Sequence, residues 1–244
     1  MIYNMDCRQG SAKHLQDNSI DLMITDPPYN LAYGGTVKRD AKPGFGVFAN
    51  DNLTDKEFRR FTAEWLREAY RVLKPGRHIY VFIDWRSYPL LFWLMQHTGF
   101  IIKNCIVWDK VHMGLGWQYR FQHELIIFAA KEPFKRRRAN KGMDESKIRR
   151  IASRSMTDVW SFPKLPANRM LHPTEKPLEI MLPMIRQSSL PGETIADFFV
   201  GRGPVAKAAF MEGRKFVGFE INEHHYLNAT ARIQQEIREE EYDE

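Results

Sequence analysis

Cysteine is nearly missing from this chain: Cys7 and Cys105 are the only two among 244 residues, and no CxxC pair occurs. A disulfide framework is therefore excluded, and a reducing cytoplasm is the expected setting. No Cys/His group has the spacing of a zinc site, so no metal is expected. No apolar run approaches the roughly 20 residues that a membrane-spanning helix needs, so the sequence reads as a soluble chain with no membrane partner. The segment "MIYNMDCRQG" lacks a basic stretch followed by an apolar one, and no secretory signal is expected.

What is abundant is positive charge, concentrated in one place. The chain carries a formal net charge of +6. Between Lys131 and Arg154 there are ten Lys or Arg against three acids, a local charge of +7, so the remainder is close to neutral. Localised basic charge is the footprint of a nucleic-acid surface. Lys135, Arg136, Arg137, Arg138, Lys141, Lys147, Arg149, Arg150 and Arg154 are the candidate contacts. A solvated basic loop is the alternative.

Short apolar runs alternate with helical patterns, which predicts an α/β fold: a Rossmann-like, mostly parallel twisted sheet with helices on both faces. "MIYNM" and "IDLMIT" read as strands, and Phe58, Phe61, Trp65, Ala69 and Val72 keep helical spacing up to "KPG". "HIYVFI", "FIIKNCIVW" and "HELIIFAA" read as further strands, the last preceded by the Gly-rich "HMGLGW". Residues 131–165 break the rhythm, with "KIRRIASR" expected as a short helix in a basic insertion. The pattern then resumes with a helix entered through Pro177 and bent or interrupted at Pro183, the strand "ETIADFF", a helix from Pro204, the strand "KFVGFEI" and a closing helix from about 222. The end, "EEEYDE", reads as a frayed tail. Residues 1–130 and 166–244 would thus form two halves of one domain on either side of the insertion.

Three strand ends carry unusual chemistry, and ligands of open parallel sheets gather at the carboxyl ends of strands. In "ITDPPYNLAY", Pro27 and Pro28 cannot continue a ladder, so the strand stops at Asp26. Asp26 and the Pro27 carbonyl offer two acceptors for the protons of an aromatic amine, and Tyr29 offers a ring for stacking. In "DFFVGRGPVAKAA", Gly201 and Gly203 fall where a strand turns into a helix, allowing close backbone approach to a ligand. Glu220 ends the next strand, where an acid can hold ribose hydroxyls. A third glycine is missing and Pro204 opens the helix, which suits a ligand with a ribose but no pyrophosphate, such as S-adenosylmethionine. Each feature alone also has a plain structural reading: a Pro-Pro turn, a tight glycine turn, a solvated acid.

Together these residues resemble the DNA amino-methyltransferases that methylate N6 of adenine or N4 of cytosine. "DPPY" after an apolar strand, "DFFVGRG" and "FVGFE" carry the resemblance, and "MDC", "RVLKPG", "IVWDK", "HELIIF" and "LHPTEKP" agree with it. With DPPY first and the glycine turn last, the order resembles the circularly permuted β-group. The resemblance implies the class I methyltransferase fold, S-adenosylmethionine as cofactor and double-stranded DNA as partner, with a homodimer possible. It implies that Asp26, Pro27, Pro28 and Tyr29 receive a flipped base, Asp26 lying also near the methionine amino group. Asp6 and Cys7 would flank the adenine ring of the cofactor. Glu220 would hold its ribose, Asp197, Phe199, Gly201 and Gly203 would form its turn, and His172, Thr174 and Lys176 would border its methionine end.

The sequence departs from the family at Phe198, where the pattern commonly has Pro, and at Pro204, where it has Thr. A loop-stabilising role is the alternative for His172, and packing the alternative for Trp108, Phe199 and Phe48. Glu124 is read as structural. Residues 31–50 are a candidate loop closing beside the base. The expected activity is methylation of adenine N6 in DNA, because Asp rather than Ser precedes PPY. Cytosine N4, an RNA or protein amide, and a non-catalytic DNA-binding subunit are the alternatives. Neither cysteine has the Pro-Cys setting of a cytosine-C5 enzyme.

Overall fold

The computed structural model describes residues 1–32, 49–114, 116, 118–132, 148–164 and 176–243, the last nine of these as helical backbone. In chain order the elements are β1 (Ile2–Asn4), α1 (Cys7–His14), β2 (Ile20–Thr25), α2 (Asp55–Val72), β3 (Leu73–Ile83) and α3 (Tyr88–Thr98). They continue with β4 (Phe100–Asp109), β5 (His123–Lys131), β6 (Val159–Ser161), α4 (Leu178–Ser188), β7 (Thr194–Asp197), α5 (Pro204–Met211), β8 (Lys215–Glu220) and α6 (Glu223–Asp243). The eight strands form one sheet in the order β1-β8-β7-β2-β3-β5-β4-β6. All neighbours are parallel except β5, which runs antiparallel to both β3 and β4.

Local sequence accounts for the main elements. Thr54 and Glu57 close a reciprocal capping box at the start of α2, satisfying two backbone donors that a helix start leaves without partners. From there Phe58, Phe61, Trp65, Ala69 and Val72 are all buried, so the stripe read from the sequence is the face that meets the sheet. Strand β2 is buried along its whole length because both faces are covered. Helices α1, α2 and α3 cover one face around Trp65, Met95 and Phe219, and α4, α5 and α6 the other around Met184, Val205 and Ala229.

Several expectations need correction. Of the two expectations for Pro183, an interruption does not occur, since helix α4 runs on through it. No helix occurs over Ile148–Arg154. Instead Arg149 N–H donates to the Gly76 carbonyl (2.9 Å) and Ala152 N–H to that of Gln187 (3.0 Å), so this stretch is laid against the fold. Helix α6 extends to Asp243, so the acidic end is helical rather than frayed. Strand β6, placed by pairing Trp160 with Trp108, and the short helix α1 had no periodic signal.

Candidate active site

Parallel pairing brings the carboxyl ends of β1, β8, β7, β2 and β3 to one edge of the sheet, and antiparallel β5 begins there, Leu125 opposite Ile83. Asp6, Glu220, Asp197 and Asp26 all stand at or just beyond those ends. The β2–β3 ladder stops at Thr25 opposite Val81, as two residues without N–H groups require.

Around Asp26 the side chains form a closed ionic network. Lys176 Nζ lies 2.7 Å from Asp26 Oδ2 and 3.1 Å from Glu124 Oε2. Tyr29 donates its hydroxyl to Asp26 Oδ1 at 2.5 Å and also lies 3.2 Å from Glu124 Oε2. Lys110 balances the other Glu124 oxygen at 3.2 Å. The lysine at 176 is almost fully covered, and its ammonium sits over the rings of Tyr29, Phe82 and Trp108 at 5.5, 5.3 and 6.0 Å. Burial would lower the Lys176 pKa, but the two adjacent carboxylates more than offset it and hold the group well above its ordinary value. Burial raises the Asp26 carboxyl, opposed by the Lys176 charge. Glu124, half-buried, is held below its ordinary value by Lys176 and Lys110. Two carboxylates therefore share one lysine, and Asp26 keeps a cationic neighbour that favours its ionised, acceptor-only form.

Beside this network lies a pocket whose walls include Asp6, Cys7, Phe198, Phe219, Glu220 and Ile221. Phe198 is buried edge-on against Phe219, their centroids 5.6 Å apart. Glu220 accepts the N–H of Gly201 (2.7 Å) and of Asn222 (2.8 Å), one on each oxygen, so its carboxylate is fixed while each oxygen retains acceptor capacity. Gly201 and Gly203 both have positive φ, and a Cβ built at Gly201 meets nothing within 4 Å, so this turn faces open space. Pro204 opens α5, where a missing N–H costs nothing. Asp6 caps α1 and is bound by Arg8 through both oxygens, and Cys7 is a buried thiol pushed well above its ordinary pKa by burial.

Asp197 faces inward rather than into the pocket, accepting the Thr25 hydroxyl (2.9 Å) and the Phe199 N–H (3.0 Å). Phe199 packs edge-on to Trp65. Burial raises the Asp197 carboxyl from 3.8 to about 7. Between those values the folded protein keeps a proton that the unfolded chain has lost, so folding stability falls as pH rises through the window. Urea unfolding at pH 4.5 and pH 8 is expected to show a loss on the order of 2–4 kcal/mol. Asp197→Asn, which keeps the acceptor oxygen, should flatten that difference; an unchanged slope assigns it to other groups.

The sequence reading brought Asp26, Tyr29, Lys176 and Glu220 to one edge, and the structure assembles them. It leaves Glu124, read as structural, in contact with both Tyr29 and Lys176, and it adds Lys110 of "IVWDK" and Phe82 of "HIYVFI", to which the sequence reading gave no role. A lone acid opening an otherwise apolar strand was the available signal for Glu124. His172, Thr174, Phe48, and most of residues 31–50 lie outside the described residues, as do Lys135, Arg136, Arg137, Arg138, Lys141 and Lys147. Arg150 and Arg154 are exposed. Arg149 is instead engaged inside the fold, 2.5 Å from Glu193 and 3.1 Å from the Ser188 carbonyl. Lys131, counted in the basic run, is buried with its ammonium on Asn18 and the Leu73 carbonyl, both at 2.7 Å.

Among the described residues no helix is long and apolar enough to cross a membrane, and no group of three or more His, Cys, Asp or Glu is placed to hold a metal ion. In comparisons with known proteins, residues 20–231 match the family model described as DNA methylase. The chain is 31% identical over 240 residues to the type II methyltransferase M.HpaI of Haemophilus parainfluenzae, covering 92% of this chain and 71% of that protein. Its fold superposes with a TM-score of 0.68 on a putative DNA modification methylase of Thermus thermophilus complexed with S-adenosyl-L-methionine (20% identity, 96% of this chain and 93% of that one). It also superposes, again at 0.68, on the cytosine-N4-specific PvuII DNA methyltransferase (15% identity, 94% and 84%). A family-model match over most of the chain and a curated relative above 30% identity give the same answer: this chain belongs to the N6/N4 DNA methylase family.

Proposed function

We propose that this protein transfers the methyl group of S-adenosylmethionine to the exocyclic N6 of an adenine flipped out of duplex DNA. The observation that carries the reading is the Asp26-Pro27-Pro28-Tyr29 turn, standing at the end of β2 beside the pocket bounded by Glu220 and Asp6. That pocket suits an adenosine: apolar rings line it, Glu220 offers acceptors for ribose hydroxyls, and the Gly201 turn leaves room. When bound, S-adenosylmethionine would supply an electrophilic methyl on a sulfonium.

The protein's own task is to make a poor nucleophile reactive. An exocyclic amine has its lone pair delocalised into the ring. Asp26 accepts one N–H and the Pro27 carbonyl the other, drawing the nitrogen towards sp³ geometry and aiming its lone pair. Tyr29 supplies a stacking surface. Asp26 is held ready for this by Lys176, and its hydrogen bond from Tyr29 is the contact that an incoming N–H replaces. Flipping the base costs a few kcal/mol, which binding to the rest of the duplex must offset.

Asp rather than Ser before PPY supports adenine. N4 of cytosine is the second reading, favoured by the fold shared with a cytosine-N4-specific enzyme and by the same pair of amine N–H groups. The test is incubation with labelled S-adenosylmethionine and unmethylated plasmid DNA, followed by nucleoside analysis. Label in N6-methyldeoxyadenosine is the expected result. Label confined to N4-methyldeoxycytidine overturns the adenine assignment, and label confined to RNA or protein overturns DNA as the substrate.

A further inference from the structure

The described flanks of the basic segment and the candidate site lie at opposite ends of the strands. Strand β5 begins at the site edge with Glu124 and ends at Lys131, roughly 25 Å away for a strand of this length. The described chain re-enters at that same far edge, where Arg149 is tied to Gly76 and Glu193 and residues 152 and 153 to Gln187. Both described flanks of the run thus sit away from Asp26, and its arginine and lysine nearest the fold serve as internal ties.

The site edge carries a different surface. The hairpin joining β4 to β5 projects beyond Glu124, stitched by Lys110 N–H to the Gln122 carbonyl (2.8 Å) and Gly114 N–H to that of Phe121 (2.7 Å). A Cβ at Gly116 would stand 2.4 Å from the Tyr119 carbonyl and one at Gly114 2.8 Å from the Phe121 carbonyl, so glycine is what allows so tight a tip. The tip turns apolar groups outward: Tyr119 is 91% exposed, Met113 62% and Phe121 39%, and Trp85 of the adjoining β3–α3 turn is 52% exposed. Arg86 bridges the two segments, over both Trp85 and Phe121. From Lys110 to His123 the sequence holds Lys110, Arg120 and two histidines but no acid. Exposed rings interleaved with cations, with no acid in the hairpin itself, match a nucleic acid, whose bases stack and whose phosphates attract.

We infer that this hairpin, with Tyr119, Arg120 and Phe121 at its tip, contacts the DNA duplex next to the flipped base. The inference rests on the proposed methylation of DNA. Its stem carries Glu124 and Lys110, so a duplex held at the tip is held beside Asp26 through a rigid ladder.

The experiment compares methyl transfer to unmethylated plasmid DNA by the full chain and by Tyr119→Ala/Phe121→Ala and Arg120→Glu, with S-adenosylmethionine affinity and molar mass in solution measured alongside. Tyr119 is so exposed that its removal leaves the fold intact, and retained cofactor affinity verifies this. Both variants should raise the KM for DNA by about tenfold or more while cofactor affinity stays within about twofold. If the wild type methylates DNA and both variants keep its KM, the hairpin role is overturned. It is equally overturned if the double variant changes only the molar mass, since the patch then serves a second copy of the chain. A wild type that binds S-adenosylmethionine but methylates no DNA is the separate failure of the proposed function.

Discussion

Replacing Asp26 by alanine is expected to slow methyl transfer by about 10²–10³-fold, the usual cost of removing one well-placed polar group that acts at the reacting atom. The expected loss falls on the chemical step, because Asp26 hydrogen-bonds the amine in the reacting geometry, while the proposed duplex contacts are made by the hairpin tip. Single-turnover transfer, with enzyme in excess over DNA and S-adenosylmethionine saturating, isolates that step, and DNA affinity should change by no more than a few-fold. Lys176 remains paired with Glu124 in this variant, at 3.1 Å, so no lysine is left buried without a counter-charge. Asp26→Asn separates charge from shape: it keeps one acceptor oxygen but loses the charge that draws on the N–H, and an intermediate rate is expected. A rate within about threefold of wild type for Asp26→Ala would remove this residue from the mechanism.

The second large effect is expected at Lys176. In Lys176→Met the lysine volume is roughly kept, but Asp26 and Glu124 lose the cation between them and must face each other across a buried site. Breaking a buried ion pair from one side typically costs about 3–5 kcal/mol. Both carboxyl pKa values should rise, since burial already pushes them up and the main opposing charge has gone. The sign follows. A carboxyl whose folded pKa is raised makes stability fall as pH rises through the interval between its unfolded and folded values. The variant's deficit should therefore be greatest at pH 8 and shrink towards pH 5, where a shared proton can replace the lysine. Urea unfolding across that range measures it, and methyl transfer should shift its acidic limb to higher pH as Asp26 becomes harder to ionise. A pH-independent deficit would mean that Lys176 stabilises by packing on Tyr29, Phe82 and Trp108 alone.

Much of this architecture could be read along the chain because it is periodic. The α2 stripe, the largely apolar β2 and the apolar end of β3, and the glycine turn before α5 follow from local residue chemistry and from the face each element must bury. The motifs that ended strands at Asp26, Asp197 and Glu220 were visible for the same reason: prolines, glycines and acids punctuate apolar runs. Elements without such periodicity escaped. Helix α1 carries mostly small and polar residues behind the Asp6 cap, and β6 is three residues that become a strand only because β4 offers an open edge.

The basic segment shows the limit most clearly. Charge counting treated Lys131 and Arg149 as members of one footprint, yet their partners, Asn18, the Leu73 carbonyl and Glu193, come from three distant parts of the chain. Likewise Glu124 looked like an isolated acid until antiparallel pairing set it beside Tyr29 and Lys176. The sequence by itself determined the doubly wound sheet, the stop at Asp26, and the acid and glycines of the pocket, because each depends on neighbours within a few residues. Only the tertiary structure decided that Lys176 is shared between Asp26 and Glu124, that Asp197 turns inward, and that the described flanks of the basic run lie across the sheet from the site. Those facts depend on strand order and direction, and pairing over more than a hundred residues leaves no trace in local pattern.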